Sequence, residues 1–99
     1  SLFIINFSYF FSNVKSDFTE KLAMRMVDII RKYPLNRYVF VIQQSETDCK
    51  NFRSYSIFRR IILEDSSLVK ELKHGEDNFC YQLNGGSKSL KFCYDIWSN

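Results

Sequence analysis

Leu2-Phe3-Ile4-Ile5-Asn6-Phe7-Ser8 is a run of β-branched and aromatic residues broken by one Asn, which predicts a strand ending in a turn. On an extended chain Phe3, Ile5, Phe7, Tyr9 and Phe11 fall on one side, and Leu2, Ile4, Asn6 and Ser8 on the other. Neither side is properly polar, whereas a strand with one face in a core ordinarily turns a hydrophilic face to water. This strand is either covered on both faces or offers one of them to a partner.

The elements that could cover it come next along the chain. A helix is predicted from about Asp17, where Asp17 and Glu20 have capping-box spacing, to Pro34, which stops it. Phe18, Leu22, Met26, Ile29, Ile30 and Tyr33 recur at helical spacing, with Ala23 and Val27 widening the stripe. Tyr38 to Gln43 reads as a second strand, apolar on both sides, and Gln44 to Asn51 as a polar loop. Phe52 to Leu63 reads as a third strand, disturbed around Arg59-Arg60. Ser66-Ser67 can cap a short helix from Leu68 to His74, which Gly75 closes. A terminal hairpin ends the chain: Phe79, Tyr81 and Leu83 lead into Asn84-Gly85-Gly86-Ser87, and Leu90, Phe92, Tyr94 and Ile96 return. Matching Leu83 with Leu90 sets Cys80 opposite Cys93.

Ninety-nine residues with 45% hydrophobic content, three Gly and one Pro make one folded domain, residues 1–99. Ten Phe and six Tyr exceed what a small core packs comfortably, so some rings are expected at the surface. The charge of +3 is a weak pointer to a polyanionic partner, because acidic residues are interspersed with the basic ones. Three scattered cysteines predict free thiols and a reducing, intracellular setting, nuclear or cytoplasmic. No apolar run approaches the ~20 residues that cross a bilayer, so no membrane is expected. Residues 2–11 match a signal-peptide core in length but lack its basic start and cleavage site.

The order strand, helix, strand, strand, helix, closing hairpin is similar to the RNA recognition motif. The resemblance runs over about residues 2–97. Leu2-Phe3-Ile4-Ile5-Asn6-Phe7 resembles the family's first-strand signature, with Phe in the last place. Arg53-Ser54-Tyr55-Ser56-Ile57-Phe58-Arg59-Arg60 resembles its third-strand signature, with Ser54 and Ser56 where glycines are usual and Ile57 where a ring is usual. The ends of the first helix (Ile30, Tyr33) and of the hairpin (Gly86 to Phe92) match as well.

The resemblance implies an α+β fold, the ferredoxin-like βαββαβ sandwich. Its antiparallel sheet carries two helices on one face and a small extra strand before the last. It also implies that Leu2 and Ile4 enter the core while Phe3 and Tyr55 lie on an open face and stack single-stranded RNA bases. Ile5, Ile57 and Asn6 would join them, Arg53 and Lys91 would meet phosphate, and Tyr94 and Trp97 would extend the surface.

An alternative keeps the fold and gives the apolar face (Ile5, Ile57, Trp97) or the Phe-rich loop (Phe10, Phe11) to a polypeptide or a flanking segment. A third reading rests on Arg37-Tyr38-Val39-Phe40-Val41-Ile42 and the hairpin, which resemble the Tctex-type dynein light chains, dimeric cargo adaptors. No cofactor is expected. His74 is the only histidine and has no zinc-ligand spacing with Cys49, Cys80 and Cys93, so no metal site is expected. Without a nucleophile signature or a phosphate loop, catalysis is not expected either.

Overall fold

The computed structural model describes residues 1–45 and 53–99. The elements are β1 (Leu2–Ser8), a 3₁₀ turn (Phe11–Asn13), α1 (Ser16–Lys32), β2 (Arg37–Ser45), α2 (Arg53–Arg59), β3 (Lys70–Leu83) and β4 (Gly86–Ser98). α2 runs on into a π-helical segment, Arg60–Asp65. The sheet order is β1-β2-β4-β3; β1 pairs parallel to β2, and the other two pairings are antiparallel. Both helices pack on one face, so this is an α+β sandwich with a mixed, four-stranded sheet in βαβαββ order. The two helices on one side are as expected. The antiparallel sheet and the RNA-recognition-motif strand order are not found.

Two elements differ from the sequence prediction. The strand predicted over residues 52–63 is helical from Arg53, and Phe52, the cysteine Cys49 and the loop to Asn51 lie outside the described residues. Ser54, Tyr55, Phe58, Ile61 and Ile62 are its buried residues, a spacing of three to four that lays one stripe on the sheet. β-branched and aromatic content favours a strand locally, but burial of this stripe outweighs the small propensity term. The π-helical segment adds a residue to the turn, and both Ile61 and Ile62 reach the core.

The helix predicted over Leu68 to His74 is instead the start of β3. In the strand, Leu68 and Leu72 are exposed and only Val69 is buried, so the stretch sends little apolar surface into the core. β4 offers it a ladder of backbone hydrogen bonds.

α1 is where its period predicts it. Thr19, Ala23, Val27 and Ile30 form its buried line, with Leu22 and Met26 beside them, while Phe18, Ile29 and Tyr33 reach the surface. The capping box does not form: Asp17 Oδ1 accepts from the neighbouring Phe18 N–H, and Lys15 is the N-cap.

The Phe-rich loop is a lid on the core, not an exposed patch. Tyr9 adopts a left-handed backbone (φ 55°) that ends β1, a conformation costing about 1–2 kcal/mol for a non-glycine residue. Its N–H still donates to Gln43 O at 2.7 Å, and the turn it makes drops Phe11, 1% exposed, among Phe7, Tyr55 and Phe58. Phe10 packs partly buried against the same cluster.

At the far end Asn84-Gly85 makes a two-residue turn with Gly85 at φ 94°. Leu83 therefore pairs with Gly86 and Cys80 with Ser89, so Cys80 and Cys93 are not partners. Cys80 is a free, exposed thiol, whereas Cys93 is disulfide-bonded, which corrects the expectation of three free thiols and removes the argument for a reducing compartment. Spacing along the chain says nothing about which Cβ atoms approach, and that approach decides pairing. Thiol titration in denaturant should find fewer reactive thiols before reduction than after it; three per chain before reduction would contradict the disulfide.

Phe58 is fully buried and touches the rings of Phe7, Phe11, Phe40 and Trp97. Phe58→Ala should lower unfolding stability by about 3–5 kcal/mol in urea denaturation.

Candidate functional site

The register divides every strand into a helix side and an open side. Phe7, Tyr38, Phe40, Ile42, Cys93, Asp95 and Trp97 are buried on the helix side. The alternate residues face away from both helices: Leu2 and Ile4 from β1, Val39 and Val41 from β2, and Ile96, Tyr94 and Phe92 from β4. From β3 come Lys73, Gly75, Asp77, Phe79 and Tyr81, paired with Ile96, Tyr94, Phe92, Leu90 and Lys88. No described helix lies over this surface.

The open side has two halves of different chemistry. The first is aliphatic, from Leu2 and Ile4 across Val39 and Val41 to Ile96. The second is aromatic and carries cations. Phe92 and Tyr94 lie 6.4 Å apart, and Phe79 and Tyr81 are stacked at 6.1 Å with an interplanar angle of 22°. Lys73 Nζ sits 5.8 Å from the centre of the Tyr94 ring, and Lys88 is directly opposite Tyr81. Gly75 lets the Tyr94 ring lie flat across β3, because a Cβ there would run into the outer end of that ring. Ser45, the last residue of β2, pairs with Phe92, and among the described residues, 86–91 and 78–83 continue as a two-stranded ribbon with Asn84-Gly85 at its tip. The chain measures 54 × 28 × 18 Å as a result.

The residues predicted to bind RNA do not come together. Tyr94 alone stands with the aromatic row. Lys91 is on the ribbon but alternates to its other face, pairing with Asn78. Phe3 is on the helix side, half-exposed and stacked on Tyr38 at 5.6 Å, in an apolar groove with Ile5, Ile29 and Tyr33. Leu2 and Ile4 take the open side instead, because Phe7 is the β1 residue whose ring enters the core and its alternates go with it. Asn6, on the open side at the edge, accepts from Ser8 Oγ at 2.9 Å. Arg53 and Ile57 are on α2, far from the role a central strand would give them. Tyr55 and Trp97 are buried, and no base can stack on them.

Phe92, Phe79, Tyr81, Lys73 and Lys88 are the residues that sequence reasoning missed. Their alternation was visible in the hairpin, but the register that puts both lysines beside rings depends on the two-residue turn.

Beneath the open side, on the helix side, lies a polar layer. Asp95 is 1% exposed; its Oδ2 accepts from the Tyr55 hydroxyl and its Oδ1 contacts His74 Nδ1. Arg59 pairs with Glu71 at 2.5 Å and lies over the Trp97 ring. His74, expected at the end of a short helix, is thus a cross-strand partner of Asp95. Burial, and then the hydrogen bond and negative charge of Asp95, push the Tyr55 hydroxyl above its ordinary pKa.

No protein-family model matches the chain, and no curated protein matches it. Among solved structures it is similar to Alba from Thermoplasma volcanium, at 18% identity over 97% of this chain and 99% of that one, with a TM-score of 0.45. A likeness that distant carries no functional argument, and the function has to be read from the geometry of the chain itself.

The polar layer makes two testable contributions to stability. Tyr55→Phe leaves Asp95 short of a donor and should cost about 1–3 kcal/mol in chemical denaturation. Because the folded pKa of Tyr55 is raised, its neutral form is the one that the fold favours. Its contribution is therefore complete below the unfolded value of about 10 and declines as pH rises above it. The fall in stability measured above about pH 10 should be shallower in Tyr55→Phe.

Proposed function

We propose that this domain is a nucleic-acid-binding module that lays a single strand of RNA along the aromatic half of its open sheet face. The observation that carries this reading is the row Tyr94, Phe92, Phe79 and Tyr81, unshielded by either helix and interleaved with Lys73 and Lys88. Every base has a π face, so such a row accepts unpaired bases of many sequences, with stacking worth ~1–3 kcal/mol per base. Lysines set among the rings meet the phosphates that run beside stacked bases. Asp77 is the only carboxylate that the described β1–β4 pairings place on that side. The projecting ribbon also has the width that a duplex major groove admits, which makes double-stranded DNA the necessary comparison.

Fluorescence anisotropy with single-stranded RNA, single-stranded DNA and duplex DNA at two salt concentrations tests the reading. RNA should bind best, and binding should weaken steeply with salt. Tyr94→Ala and Phe79→Ala should each weaken it by about tenfold with little change in melting temperature. Gly75→Ala should act in the same direction by lifting the Tyr94 ring off β3. Unchanged affinity in all three folded variants would sink the proposal.

A second reading is favoured by the aliphatic half. Leu2 and Ile4 are 60% and 68% exposed beside Val39, Val41 and Ile96, and such a contiguous apolar surface suits a polypeptide partner. Sedimentation over a concentration series, in which Ile4→Lys abolishes any association seen, would support it.

A further inference from the structure

The polar layer brings together three side chains that simple strand alternation would keep apart. Glu71 and His74 are three residues apart, so on an unbroken strand they would face opposite sides of the sheet. The ladder between β3 and β4 slips between Glu71 and Lys73, leaving Leu72 as an extra residue. That bulge returns both side chains to the helix side, where His74 is the direct cross-strand partner of Asp95 and Glu71 is paired with the next helix-side residue, Trp97. Bulges of this kind re-aim side chains and recur beside functional sites. One ligand atom from each of Glu71, His74 and Asp95 lies within 4.8 Å of the others.

The donor set has a definite chemistry. It offers one imidazole nitrogen and two carboxylate oxygens. Asp95 is wholly buried, while the side chains of His74 and Glu71 are 48% and 27% exposed, so the cluster opens to water on one side only. The outer oxygens are already held: Tyr55 donates to Asp95 and Arg59 to Glu71, the kind of second partners that orient ligands around an ion.

We propose that Glu71, His74 and Asp95 form a site for a single divalent transition-metal ion of the zinc class. Three mixed nitrogen and oxygen ligands with a remaining position for water match the open form of such sites, with bonds of about 2.0–2.2 Å. The ion replaces the proton between His74 Nδ1 and Asp95 Oδ1, which leaves to solvent, and small rotations of the partly exposed His74 and Glu71 bring their donors to bonding distance. With the ion absent, Arg59 pairs with Glu71, and His74 Nδ1 contacts Asp95 Oδ1.

The test is titration of the chelator-stripped chain with Co²⁺, read by its visible absorption, with subsequent displacement by Zn²⁺. One Co²⁺ per chain is expected. Binding should weaken by about tenfold or more in Glu71→Gln and in His74→Ala and be unaffected in Cys80→Ser. Zn²⁺ should raise the melting temperature of the parent chain but not of the first two variants. No visible band at stoichiometric Co²⁺, equal binding in Glu71→Gln and His74→Ala, or binding lost in Cys80→Ser would each overturn the proposal. Should His74→Ala fail to fold, Glu71→Gln, whose side chain reaches the surface, decides the question.

Discussion

The ring of Phe58 is where the layers of this domain meet. It stacks on Trp97 of β4 at 5.9 Å and also touches Phe40 of β2, Phe7 of β1 and Phe11 of the turn between β1 and α1. Each contact brings dispersion energy and removes apolar area from water, and one residue gathers them only if it projects from a helix lying across the strands. The helical state of Arg53–Arg59, the seat of the Phe-rich turn and the burial of Trp97 therefore stand together. Tyr9 holds a left-handed backbone for the same reason, since the turn it makes delivers Phe11 to that cluster.

Next to this apolar centre sits the buried carboxylate of Asp95. A charge out of water is costly unless it is paired and hydrogen-bonded. Tyr55 from α2 and His74 from β3 supply those partners, so Asp95 ties a helix and an edge strand to the strand between them. The bulge at Leu72 is part of that arrangement, because without it either Glu71 or His74 would leave the layer.

The two faces of the sheet then part company. The helix side is filled by rings and aliphatic side chains, and the open side keeps rings and aliphatic side chains with no described element to cover them. Its aromatic half is where sequence and structure most usefully diverged. Tyr94 belonged to the predicted binding set, but the other rings beside it did not. Tyr55, which the linear signature makes a stacking ring, and Trp97, expected to extend that surface, are the core's own packing. A ring in a motif has the same chemistry whether it meets a base or Phe58, and only its neighbours in space tell the two apart.

The elements legible in the chain are those whose signals are local. The 3.6-residue period and Pro34 place α1, Asn84-Gly85 closes the hairpin, and the doubly apolar β1 announces a sheet with little polar surface on either face. The elements that were not legible depend on partners distant in the chain. Arg53–Arg59 is a helix because its stripe has a sheet to lie on, and Lys70–His74 is a strand because β4 offers a ladder. β1 turns Phe3 toward the helices and Ile4 away from them because Phe7 finds the cluster around Phe58. Local propensities differ by less than the burial of one aromatic ring, so where the two disagree the long-range contact prevails.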